Sequence, residues 1–268
     1  MGVEFIMKNS LRILFIGDIV GRPGRNAVKA ILPTLKEKEK IDFVFANGEN
    51  LAAGRGMTIE KYREMIDAGI DYFTSGNHIW NNKPFIEYLD DPKIKVLRPE
   101  NYPSGNPGRG IAEVGKEIIL INLQGRVFMQ DDVVDPFSCA QNIVNQYKNK
   151  IFIIDFHAEA TSEKVALGYY LDGKVAVMLG THTHVQTSDE SILPKGTGYI
   201  TDIGMTGPKE SVLGVDKEII IEKFLTQLPK SHKVAVGEMI FSAVLVEINI
   251  KSKKTIKIKR IFEQVSTN

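Results

Sequence analysis

One cysteine, Cys139, is all the chain carries, so no internal disulfide can form. The fold must be held by packing, and the setting that fits is a reducing, cytoplasmic one. Long apolar runs are absent too. None approaches the roughly 20 residues that a membrane-spanning helix needs. The opening residues, MGVEFIMKNS, have neither the charged start nor the long apolar core of a secretion signal. Met7, just before the first strand-like run, is an alternative start. An excess of one charge is also lacking: 34 Lys and Arg against 33 Asp and Glu leave a net charge of +1. That offers no broad electrostatic grip on nucleic acid or an anionic membrane, and no basic-aromatic motif supplies one. Histidine is scarce, at five in 268 residues, so its placement is informative.

What is present is an alternation of apolar runs and amphipathic stretches. LRILFIG (11–17), IDFVFANG (41–48), IDYFTSG (70–76), IFIIDF (151–156) and KVAVMLG (174–180) read as buried strands. IAEVGKEIILINLQG (111–125) reads as two strands turning at Val114-Gly115. Helices are expected over 24–40, 58–69, 84–90, 136–150, 162–171 and 217–228. Thr58 is the N-cap of the second, and Pro33 is a kink or a new start within the first. The run after His157, with Glu159, Thr161 and Glu163, reads as the cap of the helix over 162–171, with Thr161 or Ser162 as the capping residue. The end, 238–263, reads as an antiparallel hairpin turning near Lys251–Lys254. Length and order point to a single α/β domain over 1–268, a layered sandwich, with a small cap over about 205–237. DIGMTGP (202–208) reads equally as a wall of the substrate pocket or as a turn.

In α/β sheets, sites form beyond the carboxyl ends of strands. Five strand-like runs here end in a residue able to bind metal or move a proton: Asp18, then Glu49 and Asn50, then Asn77 and His78, then His157, then His182 and His184. Each has a plainer reading alone. Asp18 suits a turn, Glu49 a loop carboxylate, Asn77-His78 a helix cap, and His157 a hydrogen-bonded core histidine. The pair in GTHTHVQ is the strongest signal, because residues i and i+2 of an extended segment share a face. The set offers imidazole, carboxylate and amide without thiolate, which favours iron, manganese or zinc at a mixed N/O site over a structural zinc. Its size suits two ions bridged by a carboxylate, a pair that clamps phosphoryl oxygens. Gly54, Arg55 and Gly56 in LAAGRG are candidates for phosphate contact, although a glycine-rich loop is usually only a loop.

The order GD, GEN, GNH, a strand-end histidine and GTHTH resembles the calcineurin-like metallophosphoesterase superfamily. FIGDIVGRPGR, NGENLAAGRG, SGNHIW, DFHAEATSEK, GTHTHVQT and YITDIGMTGP together resemble its YmdB-like bacterial subgroup. The resemblance implies a layered β-sandwich flanked by helices (α-β-β-α). It also implies a phosphodiesterase acting on 2′,3′-cyclic nucleotides, with two metal ions, often iron, and assembly as a homo-oligomer. By position, Asp18 and His184 would bind the first ion, Glu49 would bridge, and Asn77, His157 and His182 would bind the second. Asn50 would approach the first ion or stand just behind it. His78 would face the phosphate as acid or charge stabiliser, with a metal-bound hydroxide attacking phosphorus in line. Two positions depart from the superfamily pattern: Val20 replaces a metal-binding histidine, and Glu49 stands where aspartate usually bridges. A phosphomonoesterase or nucleotidase on the same centre is the nearest rival. A metal-bound regulatory protein with little turnover is another, and RNA ends are a further substrate to consider.

Overall fold

LRILFI is apolar at every position but one, as a strand covered on both faces must be. The structure, a computed structural model, describes residues 9–265; the alternative start at Met7 lies outside the described residues. The first half runs β1 (Ser10–Ile16), β2 (Asp18–Ile19), α1 (Gly21–Lys38), β3 (Phe43–Asn47), α2 (Ile59–Asp67), β4 (Tyr72–Thr74), a 3₁₀ turn (Asn77–Asn81) and α3 (Lys83–Ile86). Next come β5 (Ile111–Val114), β6 (Ile118–Gln124), α4 (Pro136–Gln146), β7 (Ile151–His157), α5 (Thr161–Leu171) and β8 (Val177–Thr181). The chain closes with β9 (Ser191–Ile192), β10 (Gly198–Ile200), β11 (Met205–Pro208), α6 (Lys217–Thr226), β12 (Met239–Asn249) and β13 (Thr255–Val265).

These strands form two sheets. One has the order β2-β11-β12-β1-β3-β4, with β13 also paired along β12; the other has the order β5-β6-β7-β8-β10-β9. The twofold alternation of side chains sorts each strand between two layers. Ile13 and Phe15 join Leu120, Ile153 and Val177 in a core between the sheets. Leu14 and Ile16 face the other way, with Val28 and Leu32 of α1 and Met65 of α2. Ile121 and Ile154 pack with Leu167 and Leu171 of α5 on the far face. Each such side chain contributes about 1.5–3 kcal/mol by leaving water. The result is the expected α-β-β-α order, built on three apolar layers. Among the described residues, no helix is long and apolar enough to cross a membrane.

Local details differ from the sequence reading. Pro33 neither ends α1 nor starts a new segment; the helix continues through it. Val28, Leu32 and Leu35, on both sides of Pro33, are buried against the sheet, and that packing offsets the lost backbone bond. Thr58 does cap α2, accepting from the Lys61 N–H at 3.3 Å. α5 begins after Ala160 with no side-chain cap, and the carboxylate of Glu163 in its first turn is committed elsewhere. β11 carries Gly and Pro and so reads as a turn, yet it pairs with β2 and β12. The first residues of 205–237 therefore belong to the sheet, and the excursion from it spans 209–238.

Candidate metal centre

β1, β3 and β4 run parallel in one sheet, and β7 and β8 run parallel in the other, so their carboxyl ends gather on one side. Asp18, Glu49, His157, His182 and His184 meet there. The Nε2 of His157 lies 3.2 Å from Glu49 Oε1 and 3.0 Å from His182 Nδ1. Ligand atoms of Glu49, His157 and His182 all fall within 4.8 Å of one another, a spacing that could hold a metal ion. The second lobe is looser: His184 Nε2 stands 3.8 Å from Asp18 Oδ1. Asp18, Glu49 and His157 are almost wholly buried.

The other nitrogen of each imidazole fixes the tautomer. His157 Nδ1 is 2.9 Å from the Thr181 hydroxyl, which donates to Asp155 Oδ1 at 2.7 Å. That hydroxyl can then only accept, so Nδ1 carries a proton and Nε2 is the nitrogen free for a ligand. His184 Nδ1 donates to the Leu213 carbonyl at 3.0 Å. His182 Nε2 stands 3.1 Å from a carboxylate oxygen of Glu159 and donates to it. When all three rings are neutral, His157 Nε2, His184 Nε2 and His182 Nδ1 are the nitrogens left to accept. Substituting Thr181→Val keeps the volume but removes the acceptor for Nδ1–H. Metal affinity is expected to fall by about 10- to 100-fold, read by competition with a chromophoric chelator.

The donor set fits a metal on further grounds. Asp18 Oδ1 and Asn77 Oδ1 are buried, and neither has a hydrogen-bond partner; an orphaned buried oxygen is costly unless something positive meets it. A Cβ on Gly76 would lie 2.1 Å from the His157 ring and 2.5 Å from Glu49 Oε2, so only glycine leaves this space open.

Electrostatics agree. Burial works against protonation of His157, but adjacent Glu49 outweighs it and raises the pKa to about 9. Burial of Asp18 outweighs its histidine neighbours and raises that pKa to about 7. Burial also opposes ionisation of Glu49, yet His157 and His78 pull it well below the usual carboxylate range. Burial and His157 push His182 down to about 3, so it stays neutral. A metal ion held by His157 would therefore have to displace its proton at neutral pH. Since both raised groups hold protons that compete with metal, affinity should climb with pH. The expected rise is about tenfold per unit between about 7 and 9, where His157 alone competes, and steeper below about 7. Calorimetry in buffers of different ionisation enthalpy measures the released protons directly.

The His182–His184 segment is not extended. Its histidines have φ of +100° and +65°, so the shared-face argument from spacing does not explain why they converge. Asp202 does: its carboxylate accepts from the Thr183 N–H at 3.0 Å and the Thr183 hydroxyl at 2.8 Å, and it is paired with buried Lys164. The backbone N–H of His182 in turn donates to Asp18 Oδ2. DIGMTGP thus braces the loop and, through the pairing of β11 with β2, holds Asp18 itself in place.

Asn50 sits between groups, its Oδ1 2.9 Å from His78 Nδ1 and its Nδ2 3.2 Å from His184 Nε2. His78 lies in the first turn of the 3₁₀ segment, and its N–H donates to Glu49 Oε2. Its Nδ1 donates to Asn50, which leaves Nε2 for a substrate. Burial lowers its pKa despite Glu49. Asn77 and His78 line a cavity of about 440 Å³ together with Arg55, His182 and Phe128. Gly54 and Arg55 line a second cavity, of about 720 Å³, which reaches His184 and the 209–238 excursion. Gly56 packs against Asn82 and lines neither. Val20 is buried and packs against Gly207 and Gly214. Sequence reasoning did not find Asp155, Leu213 or Phe128 as site residues, since a single Asp, Leu or Phe carries no periodic or motif signal. Glu159 it read only within a capping run.

Comparison with known proteins gives a consistent picture. Residues 14–261 match the family described as YmdB-like protein. A 2′,3′-cyclic-nucleotide 2′-phosphodiesterase of Bacillus subtilis is 50% identical over 256 residues, covering 94% of this chain and 96% of that protein. The crystal structure of a hypothetical protein from Thermus thermophilus superposes with a TM-score of 0.89 at 40% identity, over 95% of this chain and 99% of that one. That of a novel phosphatase from Mycoplasma pneumoniae superposes with a TM-score of 0.91 at 35% identity, over 97% and 95%.

Proposed function

The chain belongs to the YmdB-like family and is a phosphoric ester hydrolase, and from that premise we propose that it hydrolyses 2′,3′-cyclic nucleotides at a two-metal centre. The ester to the 2′ oxygen opens, water supplies the new P–O bond, and a nucleoside 3′-phosphate leaves. The observation that carries this reading is the cluster of three imidazoles, each with one nitrogen held by a separate partner, gathered at buried Glu49 and Asp18, together with orphaned buried oxygens on Asp18 and Asn77.

Asp18 and His184 would hold the first ion, Asn77, His157 and His182 the second, and Glu49 both. The ions, iron first with manganese or zinc as alternatives, would neutralise phosphate charge and lower the pKa of water toward about 7. Asn50 keeps His78 oriented, with Nε2 as the atom that would carry a proton to the departing 2′ oxygen. Arg55 lines both cavities, a place from which its guanidinium can meet a phosphate. The 209–238 excursion acts as a small cap, and its Leu213 carbonyl fixes the His184 tautomer.

Phosphorus NMR of the metal-loaded protein with 2′,3′-cyclic AMP, and separately with 3′-AMP, tests the proposal. Accumulation of 3′-AMP without inorganic phosphate is expected. Faster release of phosphate from 3′-AMP than ring opening would make the protein a monoesterase, the rival that the word phosphatase in one relative's description favours. Inactivity of the fully loaded protein on every phosphodiester would leave a regulatory role.

A further inference from the structure

Phe128 is 85% exposed, the most exposed large apolar side chain among the described residues. It also has φ of +63°, a left-handed conformation that a bulky residue adopts only when its surroundings impose it. Water does not reward either feature.

The surroundings that impose it are buried and polar. Glu163 accepts from the backbone N–H groups of Arg126 and Val127 at 3.0–3.2 Å. The N–H of Gly125 donates to the carbonyl of His157. A Cβ on Gly125 would sit 2.5 Å from Ala158 and 2.6 Å from Glu163, so glycine lets the loop close onto the strand that carries His157. On the far side, Gln124 donates to Asp131 at 3.0 Å and accepts from the Tyr102 hydroxyl at 3.1 Å. The segment is clamped at both ends, yet the ring at its tip has no aromatic partner among the described residues. It lies on the cavity lined by Asn77, His78 and His182, with Gln130 and Asp131 beside it. About 440 Å³ accommodates a nucleoside.

We propose that the 125–131 loop is a nucleobase subsite in which Phe128 stacks on the base while Gln130 and Asp131 meet its polar edge. The inference rests on the reading of the substrate as a cyclic nucleotide and adds what recognises it. A phosphate alone needs no flat apolar surface. A base does, because every base has a π face and stacking tolerates all four. The loop would thereby position the ribose so that its cyclic phosphate reaches His78 and the carboxyl ends of the strands.

The test compares 2′,3′-cyclic AMP with its base-free analogue, methyl riboside 2′,3′-cyclic phosphate. Wild-type protein should favour the nucleotide, and Phe128→Ala should lower kcat/KM for the nucleotide by about 5- to 150-fold, mostly through KM, with little change for the analogue. Phe128→Trp should retain the preference, and its added fluorescence should be quenched by 3′-AMP, a readout independent of turnover. Equal losses on both substrates, or none on either, would overturn the subsite. Quenching of Phe128→Trp by 3′-AMP without any cyclic-nucleotide hydrolysis would instead overturn the substrate reading and leave the subsite standing.

Discussion

Glu49→Gln is expected to abolish nearly all hydrolysis, with turnover falling by about 10³-fold or more. The reasoning begins with charge. Glu49 is the one carboxylate at the centre held firmly ionised, since His157 and His78 pull its pKa below the usual range. Asp18, raised to about 7, is only partly ionised before metal binds. A neutral amide at position 49 removes that fixed negative charge and offers one oxygen where two stood. Loss of several kcal/mol of charge stabilisation, at about 1.4 kcal/mol per tenfold, accounts for the size of the effect. Occupancy of both ions should drop together, measured by metal analysis after gel filtration. A second readout needs no metal: with Glu49 neutral, the His157 pKa should fall from about 9 toward or below the ordinary value, visible by proton NMR. Full occupancy of both ions in this variant would remove Glu49 from its bridging place.

His78→Ala should leave the ions in place and still lower turnover on cyclic nucleotides by on the order of 10²–10⁴, the worth of a positioned acid or base. His78 donates its Nδ1–H to the Asn50 side-chain oxygen at 2.9 Å, which turns its other nitrogen, Nε2, away from that contact. With Nδ1–H held there, Nε2 of the neutral ring has no proton to give. Only the protonated form can serve as acid or as donor to a phosphoryl oxygen. Since burial lowers the His78 pKa, that form is a minority at neutral pH. The part of the rate that depends on His78 should therefore decline as pH rises through a value below 6.5, and the decline should vanish in the variant. The loss should be smaller for substrates with a good aryl leaving group, which needs little protonation, than for the ribose 2′ oxygen. Loss of metal along with activity would make His78 a ligand. Equal loss on all substrates would make it a stabiliser of phosphoryl charge.

Much of this arrangement was legible before any coordinates, and the reasons are physical. A parallel sheet buries both faces of its strands, so LRILFI and IFIIDF stand out as nearly unbroken apolar runs, and the polar residue that ends each run must lie at the sheet edge. Asp18, Glu49, His157, His182 and His184 are candidates on that ground, and only the set taken together points to a site. β9, β10 and β11 were not legible, because two to four residues with few apolar positions carry no period. The hidden partners escaped for another reason. Thr181, Leu213 and Glu159 orient histidines from 24, 29 and 23 residues away in sequence, and neither periodicity nor composition reports contacts of that range. The convergence of His182 and His184 was expected for the wrong reason, since Asp202 rather than strand pleating sets their direction.

Anomalous diffraction from crystals of the iron-loaded protein, collected at the iron edge, tests the central claim most directly. Two peaks are predicted, one against Asp18 and His184, the other against Asn77, His157 and His182, with Glu49 touching both. A single peak, or a pair that Glu49 does not join, would contradict it.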